Sequence, residues 1–492
     1  MVNIRLGPPP SIVVLHPTGY SLLDTNALKN AGTTKGVFTL ASGTWAVQSN
    51  SIVIGSDCNF VCQGSATIIN TVDDNGPTFQ FAEGCQRAGI WYGRMVFEDM
   101  TDTSVNTTST QPAIQFSEAT TSTSTTKTVD IYSVDITGYN IAIYAPWTDG
   151  TSINYSQYYN LWIGRIRLRA CNIGLFFNGF SDSEIWGIDA SNLFAGSLGN
   201  YQTDAAPPGG AGTQTSIYSL ATQNFICDLG NSIIEKIEVF GGPGTGIAFQ
   251  NCVTTHIKKC ESGNTGIGVA MMGCTASCEL QVQASLNSLY GVYLDNCTDL
   301  ILIDGWTNSN QWHGVYAVST SYVNVYSWNS INNGQAGAGS YDGFNIQGQN
   351  WVFYGGDVRD TQATPTQRYG INGNNSGSNY IYAHGTVFGG TTSTPSFICA
   401  GTFYEATDCP GLNYQGFATT TPGLPLVNTF VANSNPYSVE VYTNGTGISV
   451  KDLNGTTSAL GSTGSPNPVT LRPNEEIEFT SLSPTAWIWK GL

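Results

Sequence analysis

Gly246-Ile-Ala-Phe-Gln-Asn-Cys252, Gly268-Val-Ala-Met-Met-Gly-Cys274 and Gly291-Val-Tyr-Leu-Asp-Asn-Cys297 are three copies of one pattern. Each has a glycine, a short apolar run, a turn residue and a cysteine six places after the glycine. The series continues in Gly314-Val-Tyr-Ala-Val, Gly343-Phe-Asn-Ile-Gln and Gly370-Ile-Asn-Gly-Asn, and an earlier copy stands at Gly174-Leu-Phe-Phe-Asn-Gly. From Gly246 onward the glycines are spaced by 22, 23, 23, 29 and 27 residues.

Each unit reads as a glycine turn, an alternating strand, a polar turn and a second strand such as Leu300-Ile-Leu-Ile-Asp304. A strand this short cannot bury its apolar face alone. Units of this length stack as coils at the ~4.8 Å strand spacing and share one core. The repeat therefore predicts an all-β chain, a right-handed parallel β-helix. Cys252, Cys274 and Cys297 fall at one offset and should form an inward stack. The two longer steps predict loops near 334–340 and 361–367. A leucine-rich-repeat horseshoe would need leucines at fixed places and helical return segments. The units are instead rich in Asn, Gly, β-branched and aromatic residues.

Upstream, residues 24–32 form the one helical pattern, with Asp24 or Thr25 as N-cap and Gly32 at the end. A short helix there would cap the first coil, which otherwise exposes apolar side chains and an unpaired edge. Residues 117–128 and 205–213 read as protruding loops. After Asp408-Cys-Pro410 the rhythm changes, and Thr419-Thr-Thr-Pro-Gly-Leu-Pro425 reads as a linker. The expected organisation is a lead and cap over 1–50, the β-helix over 51–415, the linker over 416–430 and a small C-terminal β-sandwich over 431–492.

The composition narrows the partners. Charged residues make up 10% of the chain, against roughly 25% in typical soluble domains. Polar surface must come from Ser, Thr, Asn, Gln and Gly. Seventeen basic residues face 34 acidic ones, a net charge of −17, which excludes nucleic acid and disfavours polyanions. The 40% hydrophobic and 11% aromatic content excludes disorder. No apolar run approaches the ~18 residues of a membrane span. The first ten residues carry no basic stretch followed by an apolar one, so the expectation is release by lysis rather than secretion. The twelve cysteines are scattered and read mostly as buried small hydrophobes. The four histidines lack metal-ligand spacing, and no nucleotide-binding or serine-nucleophile motif is present. No metal or cofactor is expected.

Glycoside hydrolysis needs two carboxylates, ~5–5.5 Å apart for retention or ~6.5–9.5 Å for inversion. Asp304, Asp357, Glu261 and Asp189 lie 13 to 15 residues after their coil glycines and are the candidate catalytic set. Asp182 and Glu184 form a further pair two apart. The competing role is the turn carboxylate bonded to its own backbone. For a lyase, His256, Lys258 and Lys259 are candidates on one coil. Among the aromatics, Trp306, Trp328, Trp186 and Trp312 are the candidate glycan-stacking residues, with Trp91, Tyr92, Trp147 and Trp162 also spread over the coils. Their competing role is packing in the core or between subunits. With few cations present, the surface suits neutral glycans better than charged ones.

Two segments carry a family resemblance. The Pro-rich lead, Asp24-Thr25 with Ala27-Leu28, Gly36-Val37 leading to Ser42-Gly43-Thr44, and Ser51-Ile-Val-Ile-Gly-Ser before Ala66-Thr67-Ile68 resemble the entry of the pectate-lyase-like superfamily. It is used in phage tailspikes and tail proteins. Val469-Thr-Leu-Arg-Pro473 and Thr485-Ala-Trp-Ile-Trp, after Asn435-Pro-Tyr437, are similar to small β-domains that end some phage minor tail proteins. The resemblance implies a virion homotrimer that attaches to a host surface polysaccharide, touches other tail proteins and carries glycan grooves on or between its β-helices. It implies as an alternative an endo-glycosidase or lyase on the same frame. A cell-encoded secreted enzyme is the third reading, disfavoured by the lead segment. The family's calcium-binding aspartates find no matching motif here.

Overall fold

The computed structural model describes residues 12–48, 52–101, 109–117, 125–145, 158–191, 224–227, 229–242, 244–373, 379–393, 396–399, 404–412, 422–434, 438–444, 446–461, 469–482 and 487–491. They fall into two units, 1–288 and 289–492. The predicted loop at 205–213, most of that at 117–128, part of the linker and Trp147 lie outside the described residues.

Both units are built from strands paired in parallel with the equivalent strand one coil away, the β-helix that the repeat predicts. In the first unit, Thr245–Gln250 pairs with Ile267–Met272 so that Ile247 lies beside Val269 and Ala248 beside Ala270. The register is the 22-residue step read from the glycines. In the second, Val292–Asp295, Val315–Val318, Phe344–Ile346, Ile371–Gly373 and Phe397–Cys399 pair in succession, with Val292, Val315, Phe344, Ile371 and Phe397 in one row. These are the 23-, 29- and 27-residue steps, and the extra residues lie between strands around 332–343 and 355–370. Parallel strands joined by crossovers wind right-handed. Gly174 falls in line with Gly246, because Phe176, Phe225 and Ala248 share a row. The coil between them is 49 residues long and includes 192–223.

Long strands bend at one left-handed residue per coil. Tyr92, Ser133, Arg165, Gly187, Lys236 and Lys259 follow in-register neighbours and have φ between 51° and 62°. In the second unit the bend runs through Asp304, Ser327, Gly355, Gly385 and Asp408, φ 47° to 71°. Side chains with a Cβ disfavour this region, Asp and Asn least among them.

The helix runs over Ser21–Gly32, three residues longer at its start than expected. Asp24 and Thr25 are therefore inside it, and Tyr20 at the N-cap makes no side-chain capping bond. Asp24 instead accepts hydrogen bonds from Thr18 N and Oγ1, Gly19 N and Ala46 N. It ties the helix to strand Gly43–Val47, with Leu28 and Ala31 buried. Residues 431–491 form two antiparallel sheets. In one, Val439–Thr443 lies beside Val469–Leu471 and Trp487–Gly491. In the other, Thr446–Lys451 lies between Thr457–Gly461 and Glu476–Leu482. Val439, Val441, Ile448, Leu471, Ile477, Phe479, Trp487 and Trp489 make their common core.

The cysteines are core residues. Cys252 and Cys274 are stacked one coil apart, since their successors Val253 and Thr275 bridge. Both are fully buried, as is Cys297 in the second unit. All ten described cysteines are free thiols. Burial pushes the thiols of Cys58, Cys62, Cys171 and Cys260 up to about 12, which removes their reactive thiolate at neutral pH. The native protein should therefore leave these ten thiols unmodified by a thiol-specific chromogenic reagent at pH 8. Unfolding in denaturant should expose them at once. Rapid native labelling would contradict the packing.

Candidate functional site

The row of outward side chains one residue past the first core row of the second unit is Tyr293, Tyr316, Asn345 and Asn372. Beside it, the turn that enters each strand contributes the two residues before the repeat glycine. Backbone bonds between successive coils, such as Gly291 N to His313 O, Gly314 N to Asp342 O and Gly343 N to Tyr369 O, place Tyr290, His313, Asp342 and Tyr369 in one column. Trp312 N to Leu289 O and Arg368 N to Tyr341 O place Leu289, Trp312, Tyr341 and Arg368 in the next.

These columns make two aromatic walls. Tyr290 lies parallel to His313 within 7° and to Tyr316 within 28°, at 6.0 and 4.9 Å between centroids. Trp312 and Tyr341 are parallel within 5° at 5.6 Å. The two sets of planes cross at 74° between Tyr290 and Trp312 and at 80° between His313 and Tyr341. The result is a corner of partly exposed rings.

Under the corner sits a polar hub. Asp342 is fully buried, and its carboxylate accepts from Arg368 Nε at 2.9 Å and Arg368 Nη2 at 2.8 Å. Asn345 Nδ2 and Asn372 Nδ2 also donate to it, at 2.8 and 2.9 Å. The backbone N–H of Asp342 donates to His313 Nδ1 at 2.8 Å. Since Nδ1 accepts, the imidazole carries its proton on Nε2. Burial holds His313 down at about 4, against the pull of the Asp342 charge. Asp295, on the first strand of the sheet, has its carboxyl raised by burial, opposed by a bond from Tyr293.

The histidine has a consequence for stability. The unfolded imidazole binds a proton near pH 6.5 and the folded one only near 4, so between these the unfolded state holds more protons. Stability is full above pH 6.5 and falls as the pH drops toward 4, on the order of 3 kcal/mol at the limit. Asp342, Arg368, Tyr290, Tyr316 and Tyr341 are the titratable or charged groups around the ring. Urea midpoints measured from pH 7 to 4 should show the loss, and His313→Asn should flatten it. An equal slope in the variant would place the proton uptake elsewhere.

Of the residues picked from sequence, Trp312 is in this corner. Trp306, 41% exposed, lies on a different sheet of the same unit, in register with Asn329 and then Asp357. Asp357 is thus two coils, ~10 Å, from Trp306, and it holds Arg359 through Oδ2 at 2.6 Å. Asp304 occupies the left-handed bend, where short polar side chains are the tolerated ones. Trp328 is a correction. Its indole is 1% exposed and lies so close over Gly305 that a Cβ there would meet it at 2.2 Å. It is a core residue and offers no face to a sugar.

In the first unit, Asp189 and Glu261 share a row with Glu238 between them. Asp189 also pairs with Arg169 at 2.6 Å. Trp186 belongs to an aromatic pile with Tyr132 and Trp162, the latter two stacked at 5.1 Å and 13°. Arg165 lies over Tyr132 and Trp186. These rings cover one another's faces and turn edges outward. Of the lyase trio, His256 pairs with Glu279 at 2.8 Å and Lys259 with Glu235. Asp182 sits at a left-handed bend, and Glu184 is exposed in register with Trp162.

Sequence reasoning missed Tyr290, His313, Tyr341, Asp342 and Arg368. The signal was present: four successive repeat glycines are each preceded by Tyr, His, Asp or Tyr. Counting forward from the glycine passed over it.

Ladders of parallel register in both units and a two-walled aromatic corner over a buried carboxylate define a parallel β-helix protein with a concave polar–aromatic face. No family model matches the sequence, and no curated protein matches it. Among solved structures, the A-module of the mannuronan C-5 epimerase AlgE6 of Azotobacter vinelandii is similar at 12% identity, covering 79% of this chain and 94% of that one, TM-score 0.49. Tailspike protein 3 of bacteriophage CBA120 is similar at 10% identity, over 89% of this chain and 66% of that one, TM-score 0.43. The Dettilon tailspike protein is similar at 12% identity, over 97% and 94%, TM-score 0.40.

Proposed function

We propose that the chain is a glycan-binding protein of the tailspike kind, which attaches a virion to a host surface polysaccharide through the corner of Tyr290, Trp312, Tyr316 and Tyr341. The corner carries the reading. Two crossed aromatic walls accept the apolar faces of sugar rings, and hydroxyls and amides around them meet sugar hydroxyls. The scarcity of surface charge fits a neutral ligand. The virion role and a homotrimer follow from the sequence resemblance of the two ends of the chain.

A second reading, cleavage of the same polysaccharide, is favoured by Asp295, a buried carboxyl with raised proton affinity, the property of a general acid. Asp304, Asp357, Asp189 and Glu261 remain the alternative carboxylates for that role.

The test is retention of the protein on immobilised capsular and lipopolysaccharide glycans, followed by the chain length of the released glycan. Retention with unchanged length supports attachment, shortening that is lost in Asp295→Asn supports cleavage, and no retention on any glycan contradicts both. Light scattering tests the assembly, with a trimer expected near three times 52.4 kDa.

A further inference from the structure

We propose that the corner reads an N-acetylated sugar, its acetamido carbonyl accepting from His313 Nε2–H and Arg368 Nη1 and its methyl lying on the aromatic walls. The inference deepens the glycan-binding reading and rests on it.

Two donors without acceptors carry it. His313 is 9% exposed and is fixed as the Nε2–H form because Nδ1 is taken by the backbone of Asp342. Among the described residues, nothing accepts from Nε2. Arg368 spends Nε and Nη2 on Asp342, its side chain remains 31% exposed, and nothing among the described residues accepts from Nη1. Asp342 approaches both, at 3.5 Å from His313 Nδ1 and 2.8 Å from Arg368. A single carboxylate thus orients two donors toward the corner. Neither offers an acceptor. The ligand atom they suit is an oxygen with lone pairs and no hydrogen of its own.

A carboxylate and an acyl carbonyl both meet that description, and charge separates them. The guanidinium is already neutralised by Asp342, and His313 is uncharged. A uronate would bring a second anion beside a buried carboxylate with no further cation, at a desolvation cost the hub cannot offset. A neutral carbonyl needs only the two donors. Next to it an acetamido group carries a methyl, and Tyr290, Tyr316, Trp312 and Tyr341 provide the apolar surface for one.

The test uses the full chain and three probes: a β-1,4-linked N-acetylglucosamine hexamer, the same hexamer after de-N-acetylation, and a galacturonate hexamer. Titration calorimetry at 0.5 M salt screens general attraction of the amine. The acetylated hexamer is expected to bind at least about tenfold more tightly than either, because donors left unpaired are costly. Saturation-transfer NMR should give its strongest enhancement at the acetyl methyl. In His313→Asn, the amide oxygen still accepts from Asp342 N–H while the donor is lost, and the preference should collapse toward one. Near-ultraviolet circular dichroism checks that this variant is folded, and Arg368→Lys gives an independent second case. Equal binding of the three probes, abolished by Trp312→Ala, would overturn the acetyl preference and leave glycan binding standing. Preference for galacturonate would overturn it likewise. Binding of none of the three would overturn the preference, while retention on another glycan would separately decide the broader reading.

Discussion

Trp312→Ala is expected to lower affinity for the bound glycan by about 30-fold or more, the effect of losing a tryptophan anchor worth ~2 kcal/mol. Trp312 forms one wall with Tyr341 and meets Tyr290 of the other edge-on. Removing it opens the corner from the side while leaving every bond of the Asp342 hub in place. Trp306→Ala, on a different sheet, should change affinity less than twofold. Calorimetric titration of both variants against the same oligosaccharide checks the contrast. Stability should hardly move in either, because both side chains are partly exposed.

Asp342→Asn should be among the most destabilising single changes in the second unit, at about 3 kcal/mol. The carboxylate is fully buried and accepts four side-chain hydrogen bonds. The amide keeps the shape but loses the charge that Arg368 faces. Breaking a buried pair typically costs 3–5 kcal/mol, and the partial exposure of Arg368 puts this case at the low end. Urea unfolding gives the number. A loss below about 1 kcal/mol would mean that the guanidinium finds water instead and that the hub is not rigid. Glycan affinity should fall too, since His313 and Arg368 lose the group that holds them.

The fold was legible because the coil is a counting device. Glycine steps of 22, 23, 29 and 27 residues reappear as strand registers, and the insertions fall between strands where the long steps placed them. The stacked cysteines were legible for the same reason. An offset from a repeated glycine names a row, and its apolar neighbours say that the row points inward. The helix start was less so. Asp24 looks like an N-cap, but its carboxylate is used four ways across the fold rather than at a helix end.

The site was only partly legible. A row tells which residues are neighbours but not what they do there. Asp304 was picked for its carboxylate, yet its position is a backbone bend. Trp328 was picked for its ring, yet the glycine one coil away at 305 is the socket that buries it. Trp186 and Trp162 are visible as aromatics, but only coordinates show that such rings lie against each other. The corner depends on ring angles and on a histidine tautomer set by one backbone N–H. No spacing in the sequence encodes either. What the sequence does hold is the column before each glycine, Tyr290, His313, Asp342 and Tyr369, whose mix of aromatic and polar residues is unlike a structural turn.

The central claim is that the corner, and not another aromatic face, holds the glycan. Hydroxyl-radical footprinting with and without bound polysaccharide tests it most directly, because every contestant is an oxidisable aromatic. The account predicts protection at Trp312, Tyr341 and Tyr290, with Trp306, Trp162 and Tyr326 unchanged. Protection at Trp306 or Trp162 with Trp312 still oxidised would contradict it.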